Sequence, residues 1–197
     1  MKSKIAQATV ILASAGLLLS APALFAIDGA GPNQPLSAQP AANSDLNATD
    51  PTMFVEAAHN INSTEIEMGR LANERGQSES VRKLGQRMVR DHTMLENRLK
   101  ALAGAKDIVL SSQLDARHQQ MIDELTTYSG AAFDQHYLGC QVNGHQKAIA
   151  LFQQVAAENQ DRSVREFAAN TLPILQRHLQ LAEKYSNIIN EPAGTGR

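Results

Sequence analysis

This chain predicts an all-α protein, a bundle of four long helices with one short helix between its two helical hairpins. Three observations predict it. Apolar residues recur at the helical period from position 51 almost to the end. Strand-like alternation is absent over the same stretch. Caps and breakers fall where each apolar stripe begins and stops. About 147 residues lie from position 51 onward, enough for one domain with its own core.

The first helix opens at Asp50-Pro51, an N-cap acid followed by proline at the first helical position. Its stripe reads Phe54, Ala58, Ile61, Glu65, Met68, Ala72, and Gly76 follows its end. Ser78 caps the second helix, with the stripe Val81, Leu84, Met88, His92, Leu95, Leu99, Leu102 and a stop at Gly104. A shorter third helix is expected over 112–128, with Leu114, Met121, Leu125 and Tyr128 on one side and a break at Ser129-Gly130. The fourth, near 131–158, carries Leu138, Val142, His145, Ile149, Phe152 and Ala156. The fifth is expected to start at the capping box Ser163 to Glu166. It continues through Val164, Ala168, Thr171, Leu175, His178, Ala182, Tyr185 and Ile189, with a kink expected at Pro173. Two helix starts echo each other: Ser80-Val81-Arg82-Lys83-Leu84 and Ser163-Val164-Arg165-Glu166-Phe167. A core-facing histidine follows each valine, 11 and 14 residues on.

The turns at 75–78 and 159–162 are short, so helices 1 and 2 should be antiparallel, and likewise 4 and 5. The third helix then carries the chain back, so that helices 2 and 4 start at one end. That is the connectivity of ferritin-like bundles. Counting from the shared end, His92 and His145 come out roughly 20 Å down, and Glu65 and His178 roughly 17 Å. Glu65, His92, His145 and His178 therefore converge on one interior layer.

A buried carboxylate with three imidazoles is either a metal site or a costly hydrogen-bonded network. Each histidine has a plain alternative to ligation. His145 can donate to a neighbouring carbonyl, His92 can pair with Glu96 one turn on, and His178 can serve carbonyls freed by Pro173. Glu65 can pair with a histidinium without any metal. If a metal binds, one carboxylate with imidazoles suits Zn, Fe, Cu or Ni rather than Ca or Mg. Met88, one turn before His92, fits a softer ion but also ordinary core filling. His59, His118 and His136 fall off the main stripes and are expected at the surface.

Several segments resemble the family known as domain of unknown function 4142. They are Phe54-Val55-Glu56-Ala57-Ala58, Glu65-Ile66-Glu67-Met68-Gly69-Arg70-Leu71-Ala72, Arg87-Met88-Val89-Arg90-Asp91-His92, His145-Gln146-Lys147-Ala148 and Thr171-Leu172-Pro173 with His178. The likeness spans about 52–188. It implies a ferritin-like bundle exported to the periplasm or outer membrane and implies no established activity. Di-iron members of the wider ferritin-like class carry Glu three residues before the ligand histidine. Here those positions hold Val89 and Leu175, so a di-iron centre is disfavoured.

Residues 1–26 read as an export signal: Lys2 and Lys4, an apolar run from Ile5 to Leu19, and cleavage after Ala23 or Ala26. The run is short for a membrane span, and none is expected after cleavage. Residues 27–50, rich in Pro, Gly, Ala and Asn, read as a flexible tether, 51–190 as the bundle and 191–197 as a disordered tail. Without Lys2 and Lys4, 16 basic residues face 20 acidic ones, a net charge of −4 that disfavours nucleic acid as a partner. Cys140 is the single cysteine, which excludes an intramolecular disulfide, and the absence of Cys-x-x-Cys-His excludes covalently attached haem.

The leading expectation is an exported, non-enzymatic envelope protein, with a stress role suggested only by analogy of fold. Its rival is a metal-binding or metal-dependent protein using the four core residues. A third reading is an interaction module for an envelope partner or a second copy. Its surface would be the outer stripe of helix 4, Phe133, Tyr137, Cys140, Ala148, Leu151 and Val155.

Overall fold

Five helices follow one another through residues 50–190, the part of the chain that the computed structural model describes: α1 Pro51–Arg75, α2 Glu79–Gly104, α3 Ala116–Thr126, α4 Gly130–Glu158 and α5 Arg162–Asn190. The expected export signal, the tether up to position 49 and the tail at 191–197 lie outside the described residues. No helix among the described residues is long and apolar enough to cross a membrane.

The caps explain the boundaries. Asp50 accepts from the amides of Thr52 and Met53, and Ser78 accepts from Val81, as the spacing predicts. α3 is shorter than the expected 112–128. The Ser111 hydroxyl holds the chain in a turn with Gln113, and Asp115 then caps the helix at the His118 amide. α4 begins at Gly130, whose φ of 58° a side chain would strain. α5 departs from the expected capping box, because the cap is Asp161, whose carboxylate accepts from the Val164 amide, and the helix starts at Arg162. It runs as one helix through Pro173.

The echo between the two helix starts has a structural meaning. Arg82 donates to the carbonyls of Gly76 and Gln77, and Arg165 donates to those of Asn159 and Gln160. Each arginine thus satisfies orphan carbonyls at the end of the preceding helix, while Val81 and Val164 beside them are fully buried. The two hairpins are built alike.

Helix direction follows from the ends. The amides of Gln77 and Ser78, at the start of α2, donate to Asp134 in the first turns of α4, at 2.8 and 2.7 Å. Lys106, just past the end of α2, pairs with Asp161, just past the end of α4. Hence α2 and α4 run parallel. α1 packs mainly on α2 and α4 mainly on α5, with further contacts between α2 and α5 and between α1 and α4. The result is the ferritin-like arrangement, with α3 on the crossover.

The α1–α2 crossing is close because two glycines face each other. A Cβ on Gly85 would lie 2.5 Å from the Gly69 carbonyl, and one on Gly69 would lie 2.9 Å from the Gly85 carbonyl. Arg75 ties α3 to this hairpin by donating to the carbonyls of Thr126 and Tyr128.

The core is divided. One apolar cluster includes Phe54, Leu99, Phe152, Val164 and Leu175, and a second includes Met68, Leu84, Met88, Phe133 and Leu138. Between them the same inward faces carry polar residues: Asn62 and Glu65, His92 and Glu96, Gln141 and His145, Thr171 and His178, all buried. The outer stripe of α4 is not a free surface. Phe133, Tyr137, Ala148 and Val155 are buried, packed with residues of α3 at one end and with Ile108 and Leu110 towards the other.

Candidate metal centre

Three helices each place one histidine in the polar layer, because each stripe presents an imidazole where its neighbours present leucine or phenylalanine. His92 and His178 are 0 % exposed and His145 is 1 %. One ring nitrogen from each lies within 4.8 Å of those of the other two. The ring centroids are 5.7 Å apart for His92 and His145, 5.2 Å for His92 and His178, and 5.3 Å for His145 and His178.

The outer nitrogens define the tautomers. His92 Nδ1 lies 3.0 Å from Asn62 Oδ1, His145 Nδ1 3.0 Å from the Gln141 carbonyl, and His178 Nε2 3.0 Å from Asp91 Oδ2. All three partners are oxygens that accept, so each of these nitrogens carries the proton and donates it. The inner nitrogens, His92 Nε2, His145 Nε2 and His178 Nδ1, then bear lone pairs. His145 Nε2 and His178 Nδ1 stand 3.3 Å apart, and His92 Nε2 has no hydrogen-bond partner among the described residues. In neutral rings three electron pairs therefore face one buried space.

Electrostatics keep those of His92 and His178 bare. Burial holds the His92 imidazole well below its ordinary value, with the two neighbouring histidines adding to the effect. Burial also takes His178 down to about 4, against the raising influence of Asp91. Both rings are neutral near pH 7. For Asp91 burial works against ionisation, but hydrogen bonds from His178 and Arg90 hold its carboxyl below the usual range.

Glu65, the fourth residue expected here, stands one layer out. Its Oε2 accepts from Gln141 Nε2 at 2.6 Å, and its Oε1 lies 3.8 Å from His145 Nδ1, the outer nitrogen of that ring. Glu96 does not pair with His92 directly. It lies 2.8 Å from His59 Nδ1 and accepts from Asn62 Nδ2 at 3.3 Å, so Asn62 stands between it and His92. His59 is not a surface residue: it is 9 % exposed, with its other nitrogen 2.9 Å from the Ser111 carbonyl. The loop before α3 covers it, and the helical period of α1 says nothing of that loop. His118 and His136 are partly exposed, beside Asp115 and stacked on Tyr128 respectively.

Sequence reasoning missed four members of this layer: Asn62, Asp91, Gln141 and His59. Asn62 and Gln141 each sit one residue from an apolar position assigned to the stripe. A polar residue beside a core glutamate or histidine was the signal that could have found them.

Near Glu65 a second group of polar atoms is buried. The Tyr137 hydroxyl and Gln141 Oε1 have no partner among the described residues. Burial raises the Tyr137 phenol well above its ordinary value, helped by Glu65, and takes the Cys140 thiol to about 11. Neither is poised to ionise near neutral pH.

A family model described as a domain of unknown function, DUF4142, matches residues 35–185. The fold is similar to the crystal structure of a DUF305 fragment from Deinococcus radiodurans, with a TM-score of 0.62 at 15 % identity, covering 70 % of this chain and 95 % of that one. No curated protein matches the chain.

Proposed function

The chain belongs to the DUF4142 family, a domain of unknown function, and we propose that it is an exported metal-binding protein of the cell envelope. Its core would hold one first-row transition ion on His92, His145 and His178. One observation carries this reading: three buried imidazoles turn one nitrogen each towards a common point while the outer nitrogen of each faces its own oxygen. Histidine ligands ordinarily have this second layer, which orients the ring and fixes its tautomer.

The spacing fits. Around an ion with bonds of about 2.0–2.1 Å, tetrahedral ligand nitrogens stand roughly 3.3–3.4 Å apart, and His145 Nε2 and His178 Nδ1 stand at 3.3 Å. Moving the His92 ring inward completes the set. Imidazole donors select Zn, Cu, Fe or Ni over the harder Ca and Mg. Three ligands leave a further position for an exogenous group. Export rests on the basic start and apolar run of residues 1–26.

The test is elemental analysis of protein purified from its host's envelope without chelators. One ion per chain is expected, absent from the His145→Ala/His178→Ala double variant. Metal-free protein whose melting temperature ignores added Zn, Cu or Fe would end the reading. Recovery from the cytoplasm alone would end the placement in the envelope.

A further inference from the structure

One arm of the histidine cluster is supported by a longer chain of side chains than the others. The Ser111 carbonyl meets His59 Nε2 at 2.9 Å, and His59 Nδ1 meets Glu96 Oε1 at 2.8 Å. Glu96 Oε2 accepts from Asn62 Nδ2 at 3.3 Å, and Asn62 Oδ1 faces His92 Nδ1 at 3.0 Å. Glu96, Asn62 and His92 are 5 %, 3 % and 0 % exposed, so the inner part of this chain is shielded from solvent. Lys100 Nζ lies 3.5 Å from Glu96 Oε1 at the outer edge.

We infer that Asn62 and Glu96 are positioning residues that set the tautomer of His92 and thereby make its Nε2 a metal-binding lone pair. Both nitrogens of His59 face acceptors, a carbonyl and a carboxyl, so one proton is held between His59 and Glu96 on either side of that bond. In both forms Glu96 Oε2 remains an acceptor. The Asn62 amide must therefore present its NH₂ to Glu96, which turns its carbonyl oxygen to His92. Facing an oxygen, His92 Nδ1 must be the protonated nitrogen, and Nε2 is left bare. An amide can rotate by half a turn with little change of shape. The Glu96 carboxylate is what prevents that rotation here.

The consequence for the metal reading is direct. Were Asn62 reversed, its NH₂ would face His92 Nδ1, the ring proton would move to Nε2, and the ligand lone pair would disappear. The other two histidines need no such device, since a backbone carbonyl and the Asp91 carboxylate can only accept. The inference rests on the metal reading for its purpose and not for its geometry, so the two are separable by experiment.

The test uses the metal-free full chain labelled with ¹⁵N-histidine, in which the nitrogen shifts of His92 report which nitrogen bears the proton. Glu96→Gln is nearly isosteric and removes the obligate acceptor; Asn62→Ala removes the amide. The wild-type ring is expected as the Nδ1–H form, with the Nε2–H form appearing in both variants. Helical content and cooperative melting, measured alongside, identify folded protein, and Glu96→Gln carries the test should Asn62→Ala not fold. Zn²⁺ affinity in both variants should fall on the order of 10–100-fold, the usual effect of losing such a partner, with the stoichiometry unchanged. An Nε2–H ring in the wild type, or an Nδ1–H ring persisting in the variants, would overturn the inference, as would unchanged Zn²⁺ affinity. A tautomer change in protein that binds no Zn²⁺ at all would leave the relay standing and sink the metal reading.

Discussion

Substituting Gly85 by alanine tests what sets the spacing of α1 and α2. The new Cβ would lie 2.5 Å from the Gly69 carbonyl oxygen, 2.8 Å from the Asn73 amide nitrogen and 2.9 Å from the Ala72 Cβ. Tolerable carbon–oxygen contacts begin at about 3.3 Å, so the two backbones must part by nearly 1 Å. Two of these three neighbours are backbone atoms that no rotamer change can move. Overpacking of this kind costs about 1–3 kcal/mol, and the upper part of that range applies where backbone is the obstacle. Against it stands the better helix propensity of alanine, worth about 1 kcal/mol. The net expectation is a loss of about 1–2 kcal/mol. Gly139→Ala is the control, because nothing lies within 4 Å of its Cβ; there the propensity term acts without opposition and stability should rise by about 0.5–1 kcal/mol. Urea midpoints at unchanged slope measure both. If Gly85→Ala were stabilising like the control, backbone contact would not be what holds the hairpin closed. The same spacing brings Asn62 onto His92, so Gly85→Ala should also weaken metal binding.

Three other outcomes follow from named contacts. Asp134→Ala leaves the Gln77 and Ser78 amides without their carboxylate and should cost about 1–3 kcal/mol in denaturant unfolding. Tyr137→Phe removes a buried hydroxyl with no partner among the described residues and should be neutral or stabilising by on the order of 1 kcal/mol; a clear loss would mean that the hydroxyl is bonded. Arg82→Ala and Arg165→Ala each remove donors to two terminal carbonyls and should each cost about 1 kcal/mol. Because the two arginines lie at opposite ends of the bundle, the double variant should equal the sum of the singles within about 0.5 kcal/mol.

What the chain disclosed from pattern alone was its stripes. Those of α2 and α5 are buried almost residue for residue, and they deliver His92 and His178 where a period of 3.6 puts them. On α1 and α4 the edge of the stripe was the weak point. Ile61 and Val142 were assigned to the core, yet their neighbours Asn62 and Gln141 are the more buried. Adjacent helical residues differ by about 100° around the axis, so which of two flanking positions is covered depends on the packing helices and not on the period. Asp91 follows no stripe, and as the neighbour of His92 on one helix it should point away from that ring. It does, and that direction brings it to His178 on another helix. Contacts across helices, and the loop over His59, depend on tertiary placement that no single-helix pattern contains.

The position of Glu65 bears on why the layer exists. Leucine and phenylalanine clusters lie on both sides of it, and an apolar layer of the same volume would spare the desolvation of every group in it. Two of its three carboxylates have cations at hand: Asp91 beside Arg87 and Arg90, and Glu96 beside Lys100. Glu65 has none among the described residues. Its ion-pair-distance neighbour is His145, which donates its outer proton to the Gln141 carbonyl, and its hydrogen bond comes from a neutral amide. Glu65 thus has no lysine or arginine at ion-pair distance among the described residues, only an imidazole and an amide. On the metal reading the ion would lie on the far side of that ring, and Glu65 would support the ligand His145 without ligating the ion itself. The same residue that looked from its stripe like a fourth ligand would then stand behind a ligand, with His145 between it and the ion.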